Sequence, residues 1–128
     1  MKLHHVGIAV TELEVAVERF RALGLKEIDR GIVEEFKVAV SLISAGEAKI
    51  EFLQPLGDGP IQRFIEKRGE GLHHVAFAVA DLEKTLSSLR SQGIQLIDEK
   101  PRLGFGGHRV AFLHSKHFGG VLVELVEE

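Results

Sequence analysis

A stretch of 27 residues occurs twice in this chain, and the repeat restricts the fold more than any other feature. LHHVGIAVTELEVAVERFRALGLKEID begins at Leu3, and LHHVAFAVADLEKTLSSLRSQGIQLID begins at Leu72. The two align without a gap, and 12 of the 27 positions are identical. A fixed-offset repeat means two copies of one structural unit. Further on the match loosens. Val38-Ala39-Val40 resembles Val110-Ala111-Phe112, and Ile50-Glu51-Phe52-Leu53 resembles Val123-Glu124-Leu125-Val126.

Both copies read alike. Leu3 to Val10 and Leu72 to Val79 are short, apolar and β-rich, hence strands. Thr11 or Asp81 then caps a helix. Leu13, Val17, Phe20 and Leu23 have helical spacing, as do Leu82, Leu86 and Leu89. Gly24 and Gly93 stop those helices. Strands are expected at 25–33, 37–43 and 48–54 in the first copy, and at 94–98, 109–114 and 121–126 in the second. The fold class is therefore α+β, with two tandem βαβββ modules, about 1–56 and 71–128. The connecting segment, about 57–70, turns at Gly57, Gly59 and Pro60. Ile61, Phe64 and Ile65 then line a short helix that ends near Gly69. One module cannot bury its sheet alone, so the two are expected to form a single domain of 128 residues.

Composition narrows the partners. Sixteen basic against 19 acidic residues give a net charge of −3, and no basic run is present. Nucleic acid and anionic membranes are poor partners for such a chain. No apolar stretch approaches a membrane span and no signal-peptide pattern opens the sequence, so a cytoplasmic location is expected. The chain lacks cysteine, which excludes disulfides and thiolate metal sites, yet it carries seven histidines.

Four ionisable residues sit at matching points of the repeat. His5 and His74 share a position in the first strand of each module, and Glu51 and Glu124 share one in the last. Each carboxylate interrupts an apolar strand, so it faces water, is paired, or binds a metal. Pseudo-twofold packing would gather the four into a mixed nitrogen and oxygen site. That donor set suits Mn²⁺, Co²⁺, Ni²⁺, Fe²⁺ or Zn²⁺, with coordination positions left for substrate or water. His4 and His73 also repeat and point to the opposite face if the strands are regular. They replace the other pair as ligands if the register is shifted by one; otherwise they lie at the surface or behind the ligands.

These residues resemble the vicinal-oxygen-chelate (glyoxalase) superfamily over nearly the whole chain. Within it the sequence is most similar to the methylmalonyl-CoA epimerases. The stretches that carry the resemblance are Gly69-Glu70-Gly71-Leu72-His73-His74, the run from Gly106 to His114, and the ending Gly120 to Leu125. The resemblance implies one divalent ion per chain on His5, Glu51, His74 and Glu124, Co²⁺ ahead of Mn²⁺, Ni²⁺ or Zn²⁺. It also implies a homodimer, an acyl-CoA substrate, and inversion of (2R)- and (2S)-methylmalonyl-CoA through a metal-stabilised enolate. Glu51 and Glu124 are then the candidate catalytic groups. Some epimerases carry a glutamate in the third strand, whereas Lys37-Val38-Ala39-Val40-Ser41 has none.

Arg102, Phe105, Gly106, Gly107 and Arg109 are the candidate substrate contacts. Lys100, His108 and Lys116 add positive charge for CoA phosphate or the substrate carboxylate. The 103–107 run is expected to form a flap over the acyl group. It lacks the strand and helix context of a nucleotide loop. Glyoxalase I, acting on a glutathione hemithioacetal, shares the modules and the order of ligands and is the main rival. A non-catalytic binding protein of the same fold often lacks the four residues. An extradiol dioxygenase usually holds iron with two histidines and one carboxylate.

Overall fold

The computed structural model describes residues 1–128. Its elements follow one another as β1 (Lys2–Ala9), α1 (Leu13–Arg21), β2 (Lys26–Val33), β3 (Val38–Ala45), β4 (Ala48–Pro55), α2 (Pro60–Arg68), β5 (Gly71–Val79), α3 (Leu82–Ser91), β6 (Arg102–Leu103), β7 (Arg109–Leu113) and β8 (Leu122–Glu127). The expected α+β class and the βαβββ order are present in both halves. By internal contacts the chain forms two compact units, one of His5–His73 and one of His74–Glu128 with Met1–His4.

In the first unit the strand order is β2-β3-β4-β1. β1 and β4 run parallel, with Gly7 beside Glu51, and the other pairs are antiparallel. Helix α1 lies on one face. Leu13 and Val17 join Val10, Ile43 and Phe52 in a core, with Phe20 packed against it. The Phe20 and Phe52 rings meet edge to face at 4.8 Å, an arrangement favoured by the aromatic quadrupole. Leu23, expected on the same stripe, falls beyond the helix and is 74% exposed.

The Ser41 hydroxyl donates to Glu27 across the β2–β3 pair at 2.5 Å, and Arg30 bridges Glu27 to Glu14 of α1. Burial pushes the Glu27 carboxyl up, but hydrogen bonds from Arg30 and Ser41 and the charges of Arg30 and Arg21 outweigh it and hold the group below the usual carboxylate range. A depressed folded-state pKa stabilises above the unfolded value and loses that contribution as pH falls through the folded value. The stability difference between the native protein and Glu27→Gln should therefore shrink as urea titrations move from neutral pH to below the normal glutamate range. A difference that stays constant would contradict the assignment.

The second unit repeats the plan with the order β5-β8-β7-β6. β5 and β8 are parallel, with Ala76 beside Glu124, and β8–β7 and β7–β6 are antiparallel. Leu82 and Leu86 of α3 pack with Val79, Leu96, Ala111, Leu113, Val123 and Leu125. Asp81 caps α3 as expected, accepting from the Lys84 N–H at 3.0 Å. Thr11 does not cap α1: Glu12 takes the cap position without a side-chain bond. The Thr11 N–H and hydroxyl instead donate to Glu70. Gly24 and Gly93 adopt φ of 95° and 85°, the left-handed conformation that ends a helix most cheaply at glycine. Helix α2 ends before Gly69 (φ 77°), as expected for the connecting segment.

Two expectations are corrected. The strand placed at 94–98 is only a single bridge, Leu96 to Leu113, and the sheet edge moves on to β6. Residues 97 and 98 both donate to the Phe112 carbonyl, while the Asp98 carboxylate accepts the Phe112 N–H. One residue of β7 thus satisfies several partners, and the ladder cannot advance. The second correction concerns register. Val40 pairs with Leu53 and Val110 with Val126, so Val40 corresponds to Val110, and Leu42 to Phe112. The sequence match of Val38-Ala39-Val40 to Val110-Ala111-Phe112 was two residues out. A two-residue slip keeps every side chain on its face, so the hydrophobic pattern could not reveal it.

Candidate metal centre

The parallel pairing places the functional residues. Partners across a ladder point to the same side, and alternate residues of a strand share a face. In the first unit His5, Gly7 and Glu51 therefore share one face of the β1–β4 pair, opposite the Phe52 core. In the second unit His74, Ala76 and Glu124 share the face opposite Leu125 and α3. The neighbour of each glutamate is small (Gly7 in one case, Ala76 in the other), which leaves room beside the carboxylate.

Each unit brings one imidazole to one carboxylate. His5 Nε2 lies 3.7 Å from Glu51 Oε1, and His74 Nε2 lies 3.2 Å from Glu124 Oε1. All four residues are buried, at 4%, 9%, 3% and 7% exposure respectively. Buried carboxylates are retained only when paired or ligating, because the desolvation cost is otherwise too high. The geometry fits ligation. Two donors each about 2.1 Å from one ion, at right angles to each other, stand about 3 Å apart. The donors are imidazole nitrogen and carboxylate oxygen, a set suited to the later divalent transition metals. Leu42 stands beside Glu51 and Phe112 beside Glu124 in the ladders, and the Phe112 ring meets His74 edge-on at 5.8 Å. These apolar neighbours restrict water around the carboxylates.

The other histidines take different places. His4 is 8% exposed, its Nε2 lies 3.4 Å from Glu128, and its ring meets His108 at 5.7 Å. A surface role for His4 is thereby ruled out. His73 is half-buried, with its ring edge-on to Phe64 at 4.9 Å.

Among the candidate substrate residues, Phe105 to Gly107 form a short 3-10 turn, with φ near 80° at Gly106 and Gly107. The turn is tied at its base, since Gly104 donates to the His108 carbonyl at 2.9 Å. A Cβ at Gly104 would come within 3.1 Å of a Val110 methyl. Arg102 Nε lies 3.4 Å from Asp98. Arg109 lies on the helix side of β7. It alternates with Val110 and so shares the α3 side of β7 with Ala111, opposite the face of Glu124. Its guanidinium binds Glu83 of α3 and, at 3.2 Å, Glu127 of β8. It is a strut and does not reach the His74–Glu124 face. A separate crevice in this unit lies between α3 and the 99–101 segment, lined by Glu83, Leu86, Arg90, Glu99, Lys100 and Arg109. The ion pairs of Arg90 with Glu99 and of Arg109 with Glu83 account for most of its charge.

Sequence reasoning missed two side chains that fasten the helices. Gln54 Oε1 accepts the Leu13 N–H at 2.6 Å, and Glu127 Oε2 accepts the Leu82 N–H at 2.9 Å. Each stands three residues after its module's glutamate. The repeat held that signal, although glutamine and glutamate differ in type and conceal it.

The two βαβββ modules have counterparts among known proteins. Residues 4–112 match the model of the glyoxalase/bleomycin resistance protein/dioxygenase superfamily. The chain belongs to that superfamily. It is 43% identical over 98% of its length to the uncharacterized protein YqjC of Bacillus subtilis, covering 91% of that protein. It is 38% identical over 97% of its length to the ethylmalonyl-CoA/methylmalonyl-CoA epimerase of Cereibacter sphaeroides, covering 96% of that chain. A methylmalonyl-CoA epimerase solved in complex with methylmalonyl-CoA and NH4⁺ superposes with a TM-score of 0.93 at 32% identity, over 99% of this chain and 94% of that one. No helix here is long and apolar enough to cross a membrane.

Proposed function

We propose that this chain is a divalent-metal-dependent methylmalonyl-CoA epimerase whose two modules act as one domain and share one ion. The observation that carries the reading is the repeated pair, His5 with Glu51 and His74 with Glu124, each buried and on the same face of a parallel strand pair. His5, Glu51 and His74 are donors of a kind that can hold a metal ion, and Glu124 completes the set by the repeat. Similarity to epimerases over nearly the full chain supports the substrate. Co²⁺ is the first candidate ion, with Mn²⁺, Ni²⁺ and Zn²⁺ behind it.

Carbon 2 of methylmalonyl-CoA lies between a thioester and a carboxylate, and its proton is weakly acidic. A bound divalent ion supplies a Lewis acid that offsets the carboxylate charge and favours enolate formation. The protein's part is proton transfer on both faces. One of Glu51 and Glu124 takes the proton from carbon 2, leaving a planar enolate. The other, protonated, returns a proton to the opposite face, so the protons balance and the configuration inverts. General acid–base transfer of this kind contributes about 10² to 10⁴-fold in rate. Phe105, Gly106 and Gly107 cover the acyl group, and Arg102 with Lys100, His108 and Lys116 supplies positive charge for the CoA phosphates. Incubating Co²⁺-loaded protein with a single methylmalonyl-CoA epimer should erase its stereochemical purity. Retention of configuration by protein loaded in turn with each of these ions would overturn the reading.

The same reading includes a homodimer, which gives a large CoA ester more surface than 128 residues alone offer. Sedimentation at micromolar concentration should give twice the mass of the chain, and a monomer would contradict this part.

A further inference from the structure

We infer that Gln54 and Glu127 are positioning residues that set the spacing between histidine and glutamate in each module; the inference rests on the metal reading above. In the first module, the strand that carries His5 runs straight into the β1–α1 junction. The end of β4, which carries Glu51, is fastened to that same junction at two points: the Val10 N–H donates to the Leu53 carbonyl at 2.9 Å, and the Leu13 N–H donates to Gln54 Oε1 at 2.6 Å. The second module repeats the helix tie, while its strand tie runs the other way, from the residue after β8 back to the end of β5. The Glu128 N–H donates to the Val79 carbonyl at 2.9 Å, and the Leu82 N–H donates to Glu127 Oε2 at 2.9 Å.

The place where these ties attach is what gives them their effect. β1 and β4 are parallel, as are β5 and β8. The movement that would separate histidine from glutamate is a slide of one strand along the other. One residue of slide is about 3.3 Å, far outside the roughly 0.2 Å tolerance of a metal–ligand bond. Parallel ladder bonds are slanted and slightly less stable per residue than antiparallel ones, and a bond from the strand's end to the helix adds a further restraint on the slide. The first helical residue is a sound anchor, because its N–H has no partner within the helix. In α1 the cap residue Glu12 supplies no side-chain bond, so Gln54 is the side chain that meets this end of the helix. In the second module Glu127 is also held by Arg109, which grips Glu83 in the first turn of α3. Its carboxylate lies at the positive end of the helix dipole, where negative charge is favoured. Gln54 does the same work without charge, so the shared element is the acceptor oxygen and its reach.

The test uses the full-length protein and Co²⁺ itself. Dissociation constants are measured by competition with a chromogenic chelator, alongside the melting temperature of each metal-free variant. Gln54→Ala and Glu127→Ala should each weaken Co²⁺ binding about 10-fold or more, the scale on which outer residues tune a metal site. Gln54→Glu and Glu127→Gln keep the acceptor and should bind within about threefold of the native protein. Should Glu127→Ala fail to fold, Glu127→Asp keeps the charge but shortens the reach, and it should still weaken binding. Alanine variants that melt earlier yet bind Co²⁺ as tightly as the native protein would overturn the inference, since the tie would then serve stability alone. So would a Glu127→Gln variant as weak as Glu127→Ala. A native protein that binds no Co²⁺ would overturn the metal reading along with it, which separates the two failures.

Discussion

The His74→Ala variant is expected to fold and to come from purification with its divalent ion largely gone. His74 is buried beside Glu124 and under the Phe112 ring, on the face away from α3. Its removal deletes one nitrogen donor and leaves the Glu124 carboxylate without its imidazole neighbour. The loss in affinity should exceed the roughly 10 to 100-fold typical of an outer partner, because a direct bond is lost. Shortening the ring also opens a cavity, so melting temperature belongs in the same experiment. Full metal occupancy by elemental analysis in a folded His74→Ala protein would show that the site is misassigned. His5→Ala is the matching control, since the repeat makes the two histidines equivalent.

That equivalence was open to view in the sequence. Twelve identities in 27 positions gave the modules, the helix stops and both histidines. The glutamates followed because each interrupts an apolar strand at the same point. What escaped was set by geometry across strands. The slip between Val40 and Val110 left the facing pattern intact and became visible only in the ladders with Leu53 and Val126. Arg109 adjoins the glycine-rich run in sequence, which says nothing of the side of the strand it takes. Alternation along β7 turns it to the helix side, where Glu83 and Glu127 meet it. The expected strand at 94–98 satisfied every local preference for β structure. It failed because the Asp98 side chain occupies the donor that a longer ladder would need. His4 lies buried beside Glu128, a contact made by residues at opposite ends of the chain that no local pattern announces.

The second large effect concerns proton transfer, separated from ligation. Glu124→Gln keeps an oxygen donor and nearly the same shape but removes the base. Folding and metal occupancy should change little, while inversion should fall about 10² to 10⁴-fold. Glu51→Gln should do the same from the opposite face. Each single variant should still exchange the carbon 2 proton of the one epimer that its remaining carboxylate can reach, without inverting it. The double variant should do neither. If both single variants invert at the native rate with the ion bound, the carboxylates are ligands only and the proton moves through other groups.

The proposed epimerisation requires removal of the proton from carbon 2 of methylmalonyl-CoA, and solvent exchange reads that event. Glyoxalase I employs the same modules and ligand order, so metal binding alone does not separate the two activities. Protein loaded with Co²⁺ should be incubated in deuterated water with methylmalonyl-CoA, and in parallel with the methylglyoxal–glutathione hemithioacetal. One deuterium should appear at carbon 2 of the CoA ester, growing at the rate of inversion, with little turnover of the hemithioacetal. Robust hemithioacetal turnover with no deuterium in methylmalonyl-CoA would overturn the epimerase assignment.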